Sequence, residues 1–233
     1  MKPSDIALWS LSLIIPERCP VCRDMIRYDQ TICPECQSRI TAYSGSFSVP
    51  GTDGFTAVCE YNSSISPAII MMKRGLCSTP VRFFGERLCS MTDRSIDYIQ
   101  PIPMSPGDER ERGCNQAALL GRYIGWKLHI PVISSVKKIR STLNQKELSA
   151  QDRAVNLIGA FSVVKPELAA GKRILLVDDV CTTGSTLRAV ADVLRKAGAA
   201  EIHCAVCCKT PDVKSNNTDK GSNPDFTGYN STK

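Results

Sequence analysis

Two adjacent carboxylates, Asp178 and Asp179, close an apolar run and are followed by Thr182-Thr183-Gly184-Ser185-Thr186. Residues of these types at this spacing do anion and polyol chemistry. A small-residue turn that opens a helix points backbone N–H groups outward, and the helix dipole favours negative charge there. Thr182, Thr183, Ser185 and Thr186 add hydroxyl donors, while Gly184 lets the backbone close on a phosphate. The paired acids can accept hydrogen bonds from a ribose diol or hold Mg2+ through water. No lysine follows the glycine as in a P-loop, so a sugar 5-phosphate fits better than a nucleoside triphosphate. Adjacent aspartates can also cap a helix in plain solvent. Their coincidence here with an apolar strand and a five-residue hydroxyl turn argues for a ligand site.

A second constellation lies near the amino terminus. Cys19-Pro-Val-Cys22 and Cys33-Pro-Glu-Cys36 form two C-x2-C pairs separated by ten residues. Four thiolates at that spacing can close tetrahedrally on Zn2+ and leave no open position for water, which is a structural role. A disulfide pairing of the four is the other reading, and a reducing compartment disfavours it. The remaining eight cysteines do not share the spacing and read as small buried side chains. Cys204 and Cys207 are formally C-x2-C, but in a strand they face opposite ways.

Elements must hold these groups in place. Lys172–Val177 reads as a strand buried on both faces, ending at the two acids. Thr186–Ala197 follows as an amphipathic helix closed by Gly198, and Ile202–Cys208 is the next strand. Upstream, Phe55–Tyr61 and Asp97–Pro103 read as strands, Ser66–Gly75 and Asn115–Leu128 as helices, and Pro131–Ile139 contains another strand. Alternation of this kind predicts a parallel sheet flanked by helices. The organisation expected is an apolar lead-in helix and zinc module over 1–45, an α/β domain over 51–212 and a disordered tail over 213–233. A Ser/Gly-rich linker at Ala42–Gly54 would join the first two. Thirteen of the last 21 residues are Ser, Asn, Thr, Gly or Pro, which cannot build a core.

The chain has 233 residues, 42% hydrophobic and 22% charged, so it can bury a core and global disorder is excluded. Of its net charge of +6, +5 resides in residues 51–212, which carry 21 basic and 16 acidic side chains, and the tail adds +1. The longest apolar run, Ile6–Ile15, is shorter than the roughly 18–20 residues of a bilayer span and lacks a small-residue cleavage site. A cytoplasmic protein without membrane insertion is expected.

The Ile174–Thr186 run resembles the signature with which type I phosphoribosyltransferases bind phosphoribosyl pyrophosphate (PRPP). The rest of the chain is similar to the ComF family of competence and phosphoribosyltransferase-like proteins. Pro101–Pro103 followed by ERERGCNQAALLGR at 109–122 resembles that family's proline pair and basic segment, and IRSTLNQKELSAQDRAVNLIGAF at 139–161 resembles its R-x-T-x-x-Q…L…R-x-x-N…F segment. The four-cysteine module is a further family feature. The fold implied is α/β, a type I phosphoribosyltransferase-like sheet with a small N-terminal zinc-ribbon-like module.

The resemblance implies that Asp178 and Asp179 contact the ribose hydroxyls and that Thr182, Thr183, Gly184, Ser185 and Thr186 cradle the 5-phosphate. It places Arg110 and Arg112 near the pyrophosphate, and Arg140, Thr142, Gln145, Arg153 and Asn156 match the family pattern. Cys114 departs from the family's usual aromatic residue, and Cys181 occupies a variable position. The cofactors implied are structural Zn2+ and Mg2+ accompanying PRPP.

Phosphoribosyl transfer displaces pyrophosphate at the anomeric carbon and needs positioned phosphates and Mg2+ but no enzyme nucleophile. A catalytic histidine is therefore not required, and His129 and His203 read as packing residues. Two functions stay open on the sequence. One is a PRPP-binding accessory protein of DNA uptake in natural transformation, touching single-stranded DNA or a helicase partner. The other is a phosphoribosyltransferase with an unidentified acceptor in nucleotide metabolism. Lys137, Lys138 and Arg140 form the basic run suited to a phosphate backbone. Aromatic residues, 6% of the chain, are not interleaved with it, so no stacking platform is expected.

Overall fold

The apolar run before Asp178 becomes the centre of the molecule. The computed structural model describes residues 17–75, 78–140, 157 and 159–211. In chain order these form α1 (Pro34–Ser38), β1 (Gly54–Glu60), α2 (Ser66–Lys73), α3 (Ser78–Met91), β2 (Tyr98–Pro101), α4 (Pro106–Arg112), α5 (Gln116–Leu128), β3 (Val136–Lys138), β4 (Phe161–Val163), β5 (Arg173–Cys181), α6 (Ser185–Lys196) and β6 (Glu201–Lys209). The lead-in Ile6–Ile15, Thr142, Gln145, Arg153, Asn156 and the tail 213–233 lie outside the described residues.

β1, β6, β5 and β2 lie side by side in that order, every pairing parallel. β5 is therefore internal, which is why its sequence is a near-continuous apolar run. Its side chains alternate between two cores. Leu175 and Val177 pack with Phe83, Phe84 and Leu88 of α3 and with Leu120 and Ile124 of α5. Ile174 and Leu176 pack on the other side with Leu187, Val190 and Leu194 of α6. Cys204 and Cys207 of β6 fall into opposite cores, so that C-x2-C is no ligand pair.

α3 was not expected from the sequence. Its interior Gly85 reads as a breaker, but a Cβ there would collide with the Tyr123 ring of α5, so the glycine serves a close helix–helix approach. β3 falls within the strand expected at Pro131–Ile139, but β4 and its antiparallel pairing were missed; Val136 faces Val163 in it, and residues 139–160 separate the two strands in sequence.

The cysteine module docks on α3 rather than standing apart. Cys19, Ile26, Ile32 and Cys36 belong to the same core as Phe83 and Phe84. Arg82 of α3 fixes the contact, pairing with Glu17 at 2.8 Å and donating to the carbonyls of Tyr28 and Gln30. The Ala42–Gly54 segment read as a linker runs along the sheet: Tyr43 N donates to Val58 O, Asp53 N to Ile202 O, and Val49 is fully buried. His129 is not a packing residue. It is exposed at the left-handed position that ends α5 (φ 59°), and His203 instead meets Glu201 at 3.1 Å.

Candidate functional site

β5 delivers its acids at the carboxyl end of an internal strand, beside the amino end of α6, where open α/β sheets bind ligands. The half-buried acids are interlocked through the backbone. Asp179 N donates to Asp178 Oδ1 at 2.9 Å, and Val180 N donates to Asp179 Oδ1 at 2.7 Å. Asp179 Oδ2 is buried and has no hydrogen-bond partner; Lys73 Nζ of α2 stands 3.6 Å from it. Burial pushes the Asp178 carboxyl well above the usual carboxylate range. The charge of Asp179 adds to this, against the Asp179 N–H and Lys73, which favour the ion. A hydroxyl donor or a hydrated cation in front of this pair would satisfy the orphaned oxygen.

The turn after β5 is built for an anion. Gly184 caps α6 with φ 76° and supplies no side-chain cap bond, so the N–H groups of the first turn face outward. Thr183 Oγ1 and Ser185 Oγ lie 2.7 Å apart across the turn. A Cβ on Gly184 would stand 3.2 Å from both Phe47 and Val49, beneath the turn. Gly184→Ala is therefore expected to cost about 1–2 kcal/mol of stability from the left-handed backbone alone, and more where Phe47 and Val49 resist. A thermal or urea melt measures this. The same variant should lose phosphate affinity, because the turn can no longer close as it does.

Acids and turn line one open cleft of about 400 Å3. Three cations enter it from three elements: Lys73 from α2, Arg112 at the end of α4 and Lys138 from β3. Lys138 Nζ is held by Asp108 Oδ2 at 3.3 Å. The opposite wall is apolar, with Ile102, Met104, Leu157 and Phe161.

The expected residues fall as follows. Asp178, Asp179, Thr182, Thr183, Gly184, Ser185, Thr186 and Arg112 share the cleft. Arg110 does not line it; its Nε bonds the Pro106 carbonyl on the outer side of α4. Lys138, read as part of a nucleic-acid run, lines the cleft, while its neighbours Lys137 and Arg140 are exposed. Lys73 and Asp108 were not singled out. Nothing local marks them, because their meaning arises only when α2 and α4 meet the end of β5.

In the amino-terminal module the sulfur atoms of Cys19, Cys22, Cys33 and Cys36 all lie within 4.8 Å of one another, and Cys22 and Cys33 are 3.7 Å apart. Tetrahedral Zn2+ with bonds near 2.3 Å sets its sulfurs about 3.8 Å apart, so the donor set fits that ion. Cys36 N donates to Cys33 Sγ at 3.4 Å, as a knuckle holding a thiolate would.

A parallel sheet with paired acids, a phosphate turn and a four-cysteine module defines a type I phosphoribosyltransferase-like protein carrying a zinc ribbon. Residues 124–226 match the family described as phosphoribosyl transferase domain, and residues 10–47 the double zinc ribbon domain. The DNA utilization protein YhgH of Escherichia coli (strain K12) is 30% identical over 206 residues, which cover 82% of this chain and 90% of that protein. Competence protein F of Haemophilus influenzae is 43% identical over 108 residues, 46% of this chain and 47% of that protein. Competence protein ComFC of Bacillus subtilis is 36% identical over 103 residues, 44% of this chain and 40% of that protein. The chain belongs to the ComF/YhgH family.

Proposed function

We propose that this protein binds PRPP with Mg2+ in the cleft at the end of β5 and acts in the uptake and use of DNA. The observation that carries the PRPP reading is the pair of acids at the end of β5 lining a cleft that also holds the start of α6 and three cations. The turn 182–186 takes the 5-phosphate on backbone N–H and hydroxyl groups. Asp178 and Asp179 orient the ribose diol, and Lys73, Arg112 and Lys138 supply counter-charge for the pyrophosphate. Mg2+, held with PRPP by the paired acids, supplies further neutralisation of the pyrophosphate leaving group. The DNA role rests on the printed names of YhgH and the competence proteins, with single-stranded DNA and a helicase of the uptake machinery as the partners proposed. A cytoplasmic location fits a chain of twelve cysteines in which none of the described ones is joined in a disulfide. No helix among the described residues is long and apolar enough to cross a membrane.

The apolar wall of Ile102, Met104, Leu157 and Phe161 favours a second reading, in which a planar acceptor lies against it and receives the phosphoribosyl group. One assay set separates the two. Mg·PRPP should raise the thermal midpoint of the wild-type protein, and the Asp178→Ala/Asp179→Ala double variant should show no rise. An equal rise in both would sink the assignment of the ribose site. Pyrophosphate release from PRPP, screened across bases, amines and single-stranded DNA, selects the transferase if one acceptor supports turnover. Binding without release selects the accessory role.

A further inference from the structure

Aromatic residues are not interleaved with the basic run at 137–140, yet α5 presents an exposed indole. Trp126 is 67% exposed, the largest aromatic surface among the described residues, and it lies on the outer face of a helix whose opposite face is in the core. Arg122, four residues earlier, is exposed on the same side, and His129 follows three residues later. Lys127 Nζ stands 5.0 Å from the indole centroid, and Tyr123 meets the ring edge at 6.0 Å and fixes its tilt.

The charge around this ring is one-sided. α5 contains no acid, and the whole stretch Arg112–Lys146 has seven basic residues and no Asp or Glu. The acid that touches this face from α3, Glu86, lies 3.5 Å from the Tyr123 hydroxyl and 3.8 Å from Arg82. A protein partner seated on a lone indole would want surrounding apolar surface, whereas the neighbours here are cations. An indole with a guanidinium one helical turn before it and an ammonium beside it matches a strand that alternates a flat base with a phosphate.

We infer that the outer face of α5 binds single-stranded nucleic acid, with one base stacked on Trp126 and the adjoining phosphates held by Arg122 and Lys127. The cleft at the end of β5 is a separate feature of the chain, so PRPP and the strand do not compete for the same groups. The inference rests on the DNA role proposed above and gives that role a surface.

The full chain with Trp9→Phe retains Trp126 as its sole tryptophan, which makes the readout specific. Titration with an unlabelled oligothymidylate should quench the indole emission strongly, because stacking on a base quenches it. A duplex of equal length should quench little, since its bases are already stacked. Fluorescence anisotropy of a labelled oligothymidylate should show Trp126→Ala binding about 5- to 100-fold more weakly. Arg122→Gln and Lys127→Gln should each weaken binding and flatten its salt dependence by about one phosphate contact. Mg·PRPP should still stabilise the Trp126→Ala protein, which shows it folded. Binding by anisotropy with unquenched emission and an unchanged Trp126→Ala affinity overturns this surface alone. Failure of wild-type protein to bind any single-stranded oligonucleotide overturns the direct DNA contact as well, while leaving the PRPP site standing.

Discussion

Stripping zinc from the four-cysteine module, or replacing Cys36 by Ser, is expected to lower the thermal midpoint of the whole protein by more than about 10 °C. A structural zinc supplies folding free energy outright, about 10–16 kcal/mol in isolated finger peptides at neutral pH. A folded domain has only about 5–15 kcal/mol in total. The module buries little that could replace the ion. Its buried aliphatic residues are Ile26 and Ile32, with Val21 packed beside them, and they share one core with α3 side chains rather than forming a core of their own. Loss of the ion therefore frees the 19–36 loop, and the loop is one of the surfaces that covers Phe83 and Phe84. Arg82 would then keep a partly buried guanidinium with Glu17 and the carbonyls of Tyr28 and Gln30 no longer fixed. The melt should consequently stay a single transition shifted down, not split into a lost module and an unchanged domain. Elemental analysis should find about one zinc per chain. Protein that is metal-free yet melts at the wild-type temperature would remove the zinc assignment. A disulfide in its place would respond to reductant and ignore chelator, and none of the four cysteines is in a disulfide.

The docking of that module shows what a sequence can and cannot display. The zinc ligands and the Ile174–Thr186 segment were legible because each packs its chemistry into a short window: two knuckles in one case, a strand, two acids and a turn in the other. β1, β5, β6 and α6 were legible because burial on both faces, or along one stripe, writes a local period. α3 carries such a stripe at Val81, Phe84 and Leu88, but its breaker residues masked it. Pro80 and Gly85 signal an end of helix, but Pro80 sits in the first turn, where it costs little, and Gly85 admits Tyr123. The hidden residues of the cleft share one physical reason. Lys73 becomes a partner of Asp179 only after 106 residues of chain have folded back, and β3 meets β4 only across residues 139–160. The basic run 137–140 looked like one patch because sequence proximity was read as a shared face. In a strand, alternate side chains diverge, so Lys138 reaches the cleft and Lys137 does not. Trp126 was passed over for the converse reason: Arg122, the exposed guanidinium on its face, is one helical turn away and not adjacent in the chain.

The same interlocked acids are expected to make the stability of the free protein and the proposed binding of PRPP respond to pH in opposite directions. In the folded chain Asp178 keeps its proton well above the usual carboxylate range, first because of burial and then because of the charge on Asp179. In the unfolded chain it loses the proton near pH 4. The native state thus binds more protons than the unfolded state between those two values, so stability should fall as pH rises through that window and level off above the native value. Asp178→Asn should abolish this slope and leave the free protein more stable than wild type at pH 7–8. Ligand binding runs the other way. A ribose diol or hydrated Mg2+ is held best by two ionised carboxylates, so Mg·PRPP should expel the Asp178 proton and bind more tightly as pH rises, by up to about tenfold per unit for one proton released. The Asn variant should bind weakly at every pH and lack this contribution. Calorimetric titration in two buffers of different ionisation enthalpy counts the protons released, and the difference between wild type and Asp178→Asn removes the titration of the ligand's own phosphates. Asp179→Asn should act differently. It removes the neighbouring charge that raises Asp178 and the carboxylate that faces Lys73, so the pH window should shift toward acid while part of the affinity survives. Equal proton counts in wild type and Asp178→Asn, with parallel affinity profiles, would show that Asp178 is not the group that titrates on binding. The paired acids would then hold the strand end together without taking the ligand.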